Sequence, residues 1–195
     1  MARPRSGPTL TPSFREFMPR WLARQRWYLG VEVPVLRPVD AFGLEDPDGG
    51  VGIETQLVTD GDEICQIPVT YRGAALAKGA LIAAAEHSVL GIRWIYDATT
   101  DPVWEAGLLR LVQAGGTGGP SGRGGTQEVE VHGELLVPGT VLTADTATIE
   151  LIRVLKPGGL PRGQGIAGAV MGSWHPGGQV EAVTGCLAVV RLRSA

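Results

Sequence analysis

The order of apolar and polar residues near the start of the chain predicts a helix over residues 11–22. Its apolar positions recur every three or four residues, which places them on one face of a helix. Pro12 suits the first helical turn, where its missing N–H is not needed. Ser13 and Glu16 have the spacing of a capping box, which is a competing start for the helix. Pro19 lies within the pattern and is expected to kink the helix or divide it.

The next part of the chain is typical of strands separated by turns. Residues 51–59 alternate apolar and more polar side chains, which is the period of a half-buried strand. Asp60 and Gly61 follow, and this pair favours a two-residue hairpin turn because both positions need a positive φ. Pro68 cannot donate a backbone hydrogen bond, so its strand is expected to be an edge or to bulge there. Strands are predicted over residues 35–44, 51–59, 63–71, 81–85 and 92–96.

A second helix is predicted to begin at Asp101 and Pro102 and to end near Gly115. Residues 115–125 then contain seven glycines in eleven positions, which is typical of a flexible linker. No helix is predicted beyond this point. Further strands are predicted over residues 127–132, 135–142, 148–155, 166–174 and 180–192.

These patterns predict an α+β fold in three parts. Residues 1–114 are expected to form a curved antiparallel sheet with flanking helices, and the first helix is expected to pack on that sheet. Residues 115–126 are the predicted glycine-rich linker. Residues 127–195 are expected to form a small antiparallel β subdomain that packs against the first part.

Composition narrows the function classes. The net charge is −3 and the basic residues are scattered, so the sequence indicates no basic patch of the kind that binds nucleic acid or an acidic membrane. The N-terminal residues lack the apolar core of a secretion signal, and no apolar run approaches the ~20 residues of a membrane helix. We therefore expect a cytoplasmic protein. Cys65 and Cys186 are expected to be small apolar residues rather than a disulfide.

The chain shows no recognisable catalytic or metal-binding motif. It has neither a Walker phosphate loop nor the His-Gly-Asp and Asp-Phe-Gly sequences of kinases. His87, His132 and His175 are far apart and lack metal-ligand spacing. The glycines at 163 and 165 are expected to form a simple turn. We therefore predict no catalytic residue, no metal and no cofactor.

Several short sequences occur in an order that resembles a known family. They are Trp21-Leu22, Arg24-Gln25-Arg26-Trp27-Tyr28, Gln66-Ile67-Pro68-Val69, Tyr71-Arg72, Trp94-Ile95-Tyr96-Asp97-Ala98 and Asp101-Pro102-Val103. Over about residues 11–114 the chain resembles the N-terminal cap of the actinobacterial maltokinases, which phosphorylate maltose with ATP. It is most similar to the stand-alone cap-like proteins of that group.

The resemblance implies more about structure than about activity. In maltokinases the cap is a cystatin-like antiparallel sheet with helices on one side, and it lies on the kinase-like N-lobe away from phosphate transfer. Residues 149–158 are similar to the N-lobe strand that carries the ATP-binding lysine, but this chain has Glu150 at that position, where a carboxylate would repel phosphates. The helical C-lobe, with its catalytic loop and metal-binding aspartate, has no counterpart.

Aromatic and arginine side chains of the cap-like part are the candidate recognition surface, because aromatic faces beside guanidinium groups can bind a sugar or a protein. The members are Arg26, Trp27, Tyr71, Arg72, Arg93, Trp94, Tyr96 and Asp97. The leading hypothesis is a non-catalytic interaction or ligand-binding protein of α-glucan and trehalose–maltose metabolism, whose partner is a protein or a carbohydrate of that metabolism. One alternative is an enzyme that acts on α-glucan through an unrecognised site. The other is the N-terminal half of a split sugar kinase.

Overall fold

The computed structural model describes residues 8–30, 32–61, 63–119, 127–176 and 181–193. Its helices are α1, Phe14–Leu22, and α2, Pro102–Ala114, which follows a short 3-10 helix at Ala98–Thr100. The first six strands are β1, Leu10–Thr11; β2, Arg37–Leu44; β3, Val51–Asp60; β4, Glu63–Arg72; β5, Leu81–His87; and β6, Gly91–Asp97. The others are β7, Gln127–Glu128; β8, Glu130–Leu135; β9, Ala147–Leu151; β10, Val154–Leu155; β11, Ile166–Trp174; and β12, Val183–Leu192.

The described strands form two sheets. The first sheet has the order β1-β5-β6-β4-β3-β2-β7, with β10 paired to β4, and the second has the order β8-β11-β12-β9. The pairings are antiparallel except that of β2 with β7. A strongly curled antiparallel sheet, two helices and a second small antiparallel sheet confirm the predicted α+β fold class.

The first helix begins at the capping box and not at Pro12. The Glu16 carboxylate accepts hydrogen bonds from the backbone N–H of Ser13 at 2.7 Å and from its hydroxyl at 2.6 Å. Pro19 was expected to kink or divide the helix, and the helix runs through it without a division. Met18 and Leu22, one on each side of Pro19 along the chain, are fully buried against the sheet and hold both turns in place.

The second helix begins and ends where the sequence predicts. The Asp101 carboxylate accepts the backbone N–H of Val103 at 3.0 Å, and Pro102 occupies the first helical position. Gly115 closes the helix with a left-handed φ of 58°, a conformation that favours glycine.

Pro68 lies at a local edge of an otherwise central strand. On one side, β4 pairs with β3 along its whole length. On the other side, β6 pairs with β4 from Val69 onward, and β10 pairs with it only at Ile64 and Cys65. The missing N–H of Pro68 therefore faces the gap between two short partners, which confirms the predicted edge position.

The two faces of the first sheet lie in two hydrophobic clusters. One face, here the α1 face, packs against α1 through residues such as Val58, Ile67 and Ile95. The opposite face, here the α2 face, shares one core with α2 and the second sheet. Strand β8 and helix α2 approach each other closely, because a Cβ on Gly133 of β8 would lie 2.4 Å from the carbonyl oxygen of Leu111 in α2.

The start of the predicted linker is joined to both sheets. Gly119 forms a bridge with Gly43 of β2, and Thr117 forms one with His132 of β8. Residues 120–126 lie outside the described part of the chain. The division into 1–114 and 127–195 stays a prediction about folding units, and in the structure both parts contribute to the same core.

Two strand predictions in the second half were wrong. Residues 136–142 are irregular, because the N–H groups of Leu136 and Val137 both point to the Ala167 carbonyl and a proline and a glycine follow directly. The strand predicted over 148–155 is two strands, since β9 pairs with β12 in the second sheet and β10 pairs with β4 in the first. The chain crosses between the sheets at Ile152 and Arg153. Among the described residues, no helix is long and apolar enough to span a membrane.

Candidate interaction surface

The candidate residues on β4 and β6 divide between the two faces of the first sheet. Arg72 pairs with Trp94 and Thr70 pairs with Tyr96, so these four side chains point toward the α2 face. The neighbouring pairs, Tyr71 with Ile95 and Val69 with Asp97, point toward the α1 face, as does Arg93. The eight residues therefore do not form one surface.

Arg72 is part of a buried ion pair. Its Nε and Nη2 donate to Oδ2 and Oδ1 of Asp101, both at 2.6 Å, and the Thr70 hydroxyl donates to the same Oδ2 at 2.7 Å. Burial alone would raise the pKa of Asp101, but these hydrogen bonds and the Val103 N–H outweigh it, so the pKa lies below its usual value. The hydrogen bonds to Asp101 also raise the pKa of Arg72. This arginine joins β4 to the start of α2.

Asp97 and Trp27 are brought together by a residue that the sequence analysis missed, Arg153. Its Nη2 donates to Asp97 Oδ2 at 2.6 Å and lies 3.3 Å from the Thr99 hydroxyl. Its guanidinium carbon lies 4.9 Å from the centre of the Trp27 ring, and Trp21 packs edge-on against Trp27. Arg153 comes from the crossing between the sheets, 56 positions after Asp97, so no local pattern could have indicated the contact.

Most of the remaining candidate side chains contact nearby groups of the same domain. The buried Tyr96 accepts the backbone N–H of Leu76 at its hydroxyl, at 2.7 Å. The Tyr71 hydroxyl donates to Glu54 Oε2 at 3.0 Å. Arg93 Nη1 lies 3.4 Å from the Ile92 carbonyl oxygen. Arg26 is exposed, and Trp94 is half-buried.

Within the described part of the chain, no helix or strand covers the β5–β6 end of the α2 face. Helix α2 packs over Leu44 and Ile53 in β2 and β3, whereas the β5–β6 hairpin leaves one face open. Ile92 is 63% exposed and Leu81 is 47% exposed on that face, and Ala84 is exposed, while the adjacent Ala85 is buried under α1. We call this surface the hairpin face. Its members are Leu81, Ala84, Glu86, Ile92 and Trp94.

A second apolar surface lies on the irregular segment after α1. Leu29, Val33 and Val35 are exposed to 80, 57 and 78%, respectively. We call these three residues the apolar segment. The segment follows Tyr28, whose hydroxyl donates to Asp60; burial, with this contact, raises the pKa of Tyr28 to about 12.

The core contains a small cavity between α2 and the two sheets. Its volume is about 10 Å³, the lower limit for a single water molecule. Its lining is apolar apart from Thr55 and Gln66, and it includes no carboxylate. An enzyme acting on α-glucan is expected to have a deep polar pocket with two convergent carboxylates, which this cavity does not supply.

Histidines and other charged groups of the described residues do not converge on a metal site. The His87 ring accepts the N–H groups of Val89 and Leu90 and so closes the β5–β6 turn. His175 donates its backbone N–H to the buried Asp40, at 2.9 Å, and thereby links the two sheets. Glu150 pairs with Arg191 at 3.0 Å.

Comparison with known families supports the resemblance noted in the sequence. Residues 21–101 match the family model of the maltokinase N-terminal cap domain, within the 11–114 region where the resemblance was predicted. A search of curated proteins finds no match to the chain.

Proposed function

Because residues 21–101 form a maltokinase N-terminal cap-like domain, we propose that the chain is a non-catalytic interaction protein of α-glucan and trehalose–maltose metabolism. It acts by binding a protein of that metabolism and not by transferring phosphate. The metabolic setting is inferred from the family of the cap domain. The observation that supports a binding role is that arginines form internal contacts while large apolar side chains of the domain are exposed.

Two arginines that could bind a phosphate are engaged in internal contacts. Arg72 is held by Asp101, and Arg153 is held by Asp97 and the Trp27 ring. An arginine that clamps a phosphate must point its guanidinium at the ligand. The half of each guanidinium that faces its aspartate is not available for that purpose.

Exposed apolar side chains favour a protein partner over a carbohydrate. Seven of the eleven large exposed apolar residues of the described chain lie between positions 29 and 92, within the cap-like domain. Protein interfaces bury aliphatic side chains of this kind, whereas sugar sites depend on aromatic faces and convergent polar groups. The apolar segment is the contact that we assign to the metabolic partner, because Leu29 and Val35 are the two most exposed of these eleven side chains.

Native co-purification tests this function. The tagged chain, expressed in its own host, is isolated beside two variants, Leu29→Glu and Val141→Glu. Val141 is 68% exposed on a loop outside the cap-like domain and is the matched control. We expect the wild type and the Val141→Glu variant to retain the same enzyme of α-glucan or trehalose–maltose metabolism, and the Leu29→Glu variant to lose it.

Two results would contradict the proposal. One is a partner profile that is the same for Leu29→Glu as for the wild type, or that contains no enzyme of this metabolism. The other is a partner that carries the kinase C-lobe and completes an active enzyme, which would make this chain half of a split kinase.

A further inference from the structure

We propose that Arg20, Arg24 and Arg26 recognise an acidic surface on the protein that contacts the apolar segment. We call these three residues the arginine patch. The inference rests on the proposed function, because it gives the chemistry of the partner at the same site. Its basis is the distribution of charge along the chain and the exposure of the three arginine side chains.

Positive charge is concentrated at the start of the chain. Basic residues occur along the whole sequence, but residues 1–37 hold seven of the 17 lysines and arginines and only two of the 20 aspartates and glutamates. The rest of the chain is therefore more acidic than the total charge of −3 suggests. An uneven distribution of this kind favours approach of an acidic partner to the basic end of the molecule.

The end of α1 and the turn that follows it bring the arginine patch together. Arg20 and Arg24 lie about one helical turn apart, because the Arg24 N–H bonds back to a carbonyl of the last turn of α1 at 3.1 Å. Arg26 lies in the next turn, which a hydrogen bond of 3.2 Å from the Tyr28 N–H to the Gln25 carbonyl closes. The patch therefore occupies one short bend of the chain, directly before the apolar segment.

The same bend fixes the first side chain of the apolar segment. The Tyr28 hydroxyl donates to Asp60, and Gly30 lies directly over the Tyr28 ring. Leu29 lies between these two fixed residues and is 80% exposed, three positions after Arg26. Leu29 and the arginine patch are therefore neighbours on one surface.

The side chains of the arginine patch are available to bind a partner. All three are exposed, and within the described residues none of them forms an ion pair, unlike the internally paired Arg72 and Arg153. Residues 17–31 contain these three arginines and no acidic residue. The bend itself is therefore positively charged.

Carboxylates beyond the bend leave this charge in place. Glu16 accepts the hydrogen bonds of Ser13, and Asp60 accepts that of Tyr28. Glu32 and Glu63 are exposed and belong to other parts of the chain, after Leu29 and at the start of β4.

An acidic protein surface fits this arrangement better than a nucleic acid or an anionic membrane does. A nucleic acid would leave the aliphatic side chains of the apolar segment without an apolar contact, and either polyanion would be repelled by the acidic remainder of the chain. Protein interfaces combine an apolar centre with a charged border, and arginine is enriched in them. The arginine patch is such a border for the apolar segment.

Fluorescence anisotropy of a labelled peptide tests this recognition with the purified chain. The probe is a short peptide of glutamate and leucine, and its neutral counterpart has glutamine in place of glutamate. At low ionic strength we expect the wild type to bind the acidic peptide about tenfold more tightly than the neutral one, and to lose this preference in high salt. Arg24→Glu with Arg26→Glu is expected to lower the affinity for the acidic peptide about tenfold.

A matched double variant controls for net charge. Lys78→Glu with Arg162→Glu changes the charge by the same amount at two exposed positions outside the apolar segment and is expected to bind the acidic peptide as the wild type does. All four positions are exposed, so both variants are expected to keep the wild-type melting curve. In the co-purification, Arg24→Glu with Arg26→Glu is expected to lose the enzyme that Leu29→Glu loses, and the control is expected to retain it.

Three results would overturn the inference. They are equal affinities for the acidic and the neutral peptide, equal effects of the two double variants, and tighter binding of a DNA duplex or of phosphatidylserine vesicles than of the acidic peptide. Because the peptide measurement uses no cellular partner, a co-purification that yields no enzyme of this metabolism contradicts the proposed function and leaves the peptide result unaffected.

Discussion

Replacing Asp101 by asparagine probes the ion pair that joins β4 to α2. The substitution keeps the size of the side chain and a residue that caps helices well, so the start of α2 is preserved. It removes the charge that accepts both hydrogen bonds from Arg72. The Arg72 side chain is 20% exposed and the Asp101 side chain is fully buried, so the guanidinium would lose its counter-ion in a largely dry site.

Loss of one member of a buried ion pair lowers the free energy of unfolding by about 3–5 kcal/mol. Because asparagine still caps α2, the loss expected for Asp101→Asn is near the lower end of this range. For a chain of this length, about 3 kcal/mol corresponds to a fall in melting temperature of about 6–12 °C. Because the pKa of Asp101 is lowered in the folded state, the contribution is present above its usual value of 3.8 and is lost as the pH falls through the folded pKa. The difference between wild type and variant is therefore expected to be constant near neutral pH and to shrink in acid.

Urea unfolding followed by circular dichroism measures this difference, and a double-mutant cycle with Arg72→Met isolates the pair. The two changes share one contact, so together they are expected to destabilise by at least about 1 kcal/mol less than their sum. A loss below about 1 kcal/mol for Asp101→Asn, or additive effects in the cycle, would refute the reasoning.

Two further substitutions test how the second sheet packs against α2 and how the two sheets are linked. Gly133→Ala places a methyl group 2.4 Å from the Leu111 carbonyl oxygen and is expected to lower the free energy of unfolding by about 1–3 kcal/mol, measured by thermal unfolding. Gly158→Ala is the control, because nothing lies within 4 Å of its Cβ position, and it is expected to change the stability little. Equal melting temperatures for the two variants would contradict the close packing. Burial raises the pKa of Asp40, so its charge opposes folding once the pH exceeds that pKa. Asp40→Asn keeps an oxygen that accepts the His175 N–H. The variant is expected to have a free energy of unfolding about 1 kcal/mol higher at pH 7, with a smaller gain near pH 4. A variant less stable than the wild type at pH 7 would contradict the expected cost of the buried charge.

Local chemistry made much of the fold predictable. The Ser13–Glu16 capping box, the Asp101 cap with Pro102 behind it and the left-handed Gly115 each depend on a few neighbouring residues, and the structure has all of them. The β3–β4 hairpin forms where the sequence indicates, and Gly61 has a positive φ. The positive φ predicted for Asp60 was wrong, because Asp60 is the last residue of β3 and pairs with Glu63.

Features that depend on distant contacts were missed or wrong. The strand predicted over 148–155 is broken at Arg153 because its two halves belong to different sheets, and composition does not show where a chain changes sheets. The pairing of Arg153 with Asp97 follows from that crossing. Alternation in β6 shows which residues share a face, but the exposure of Ile92 depends on where α2 lies.

We propose that this chain acts by binding and not by phosphoryl transfer. The most direct test is an assay of the purified chain with magnesium, maltose and ATP labelled at its terminal phosphate, followed by separation of the sugar phosphates. We expect no more maltose phosphate than in a reaction without the protein. Labelled maltose phosphate that increases with time and with protein concentration would contradict it.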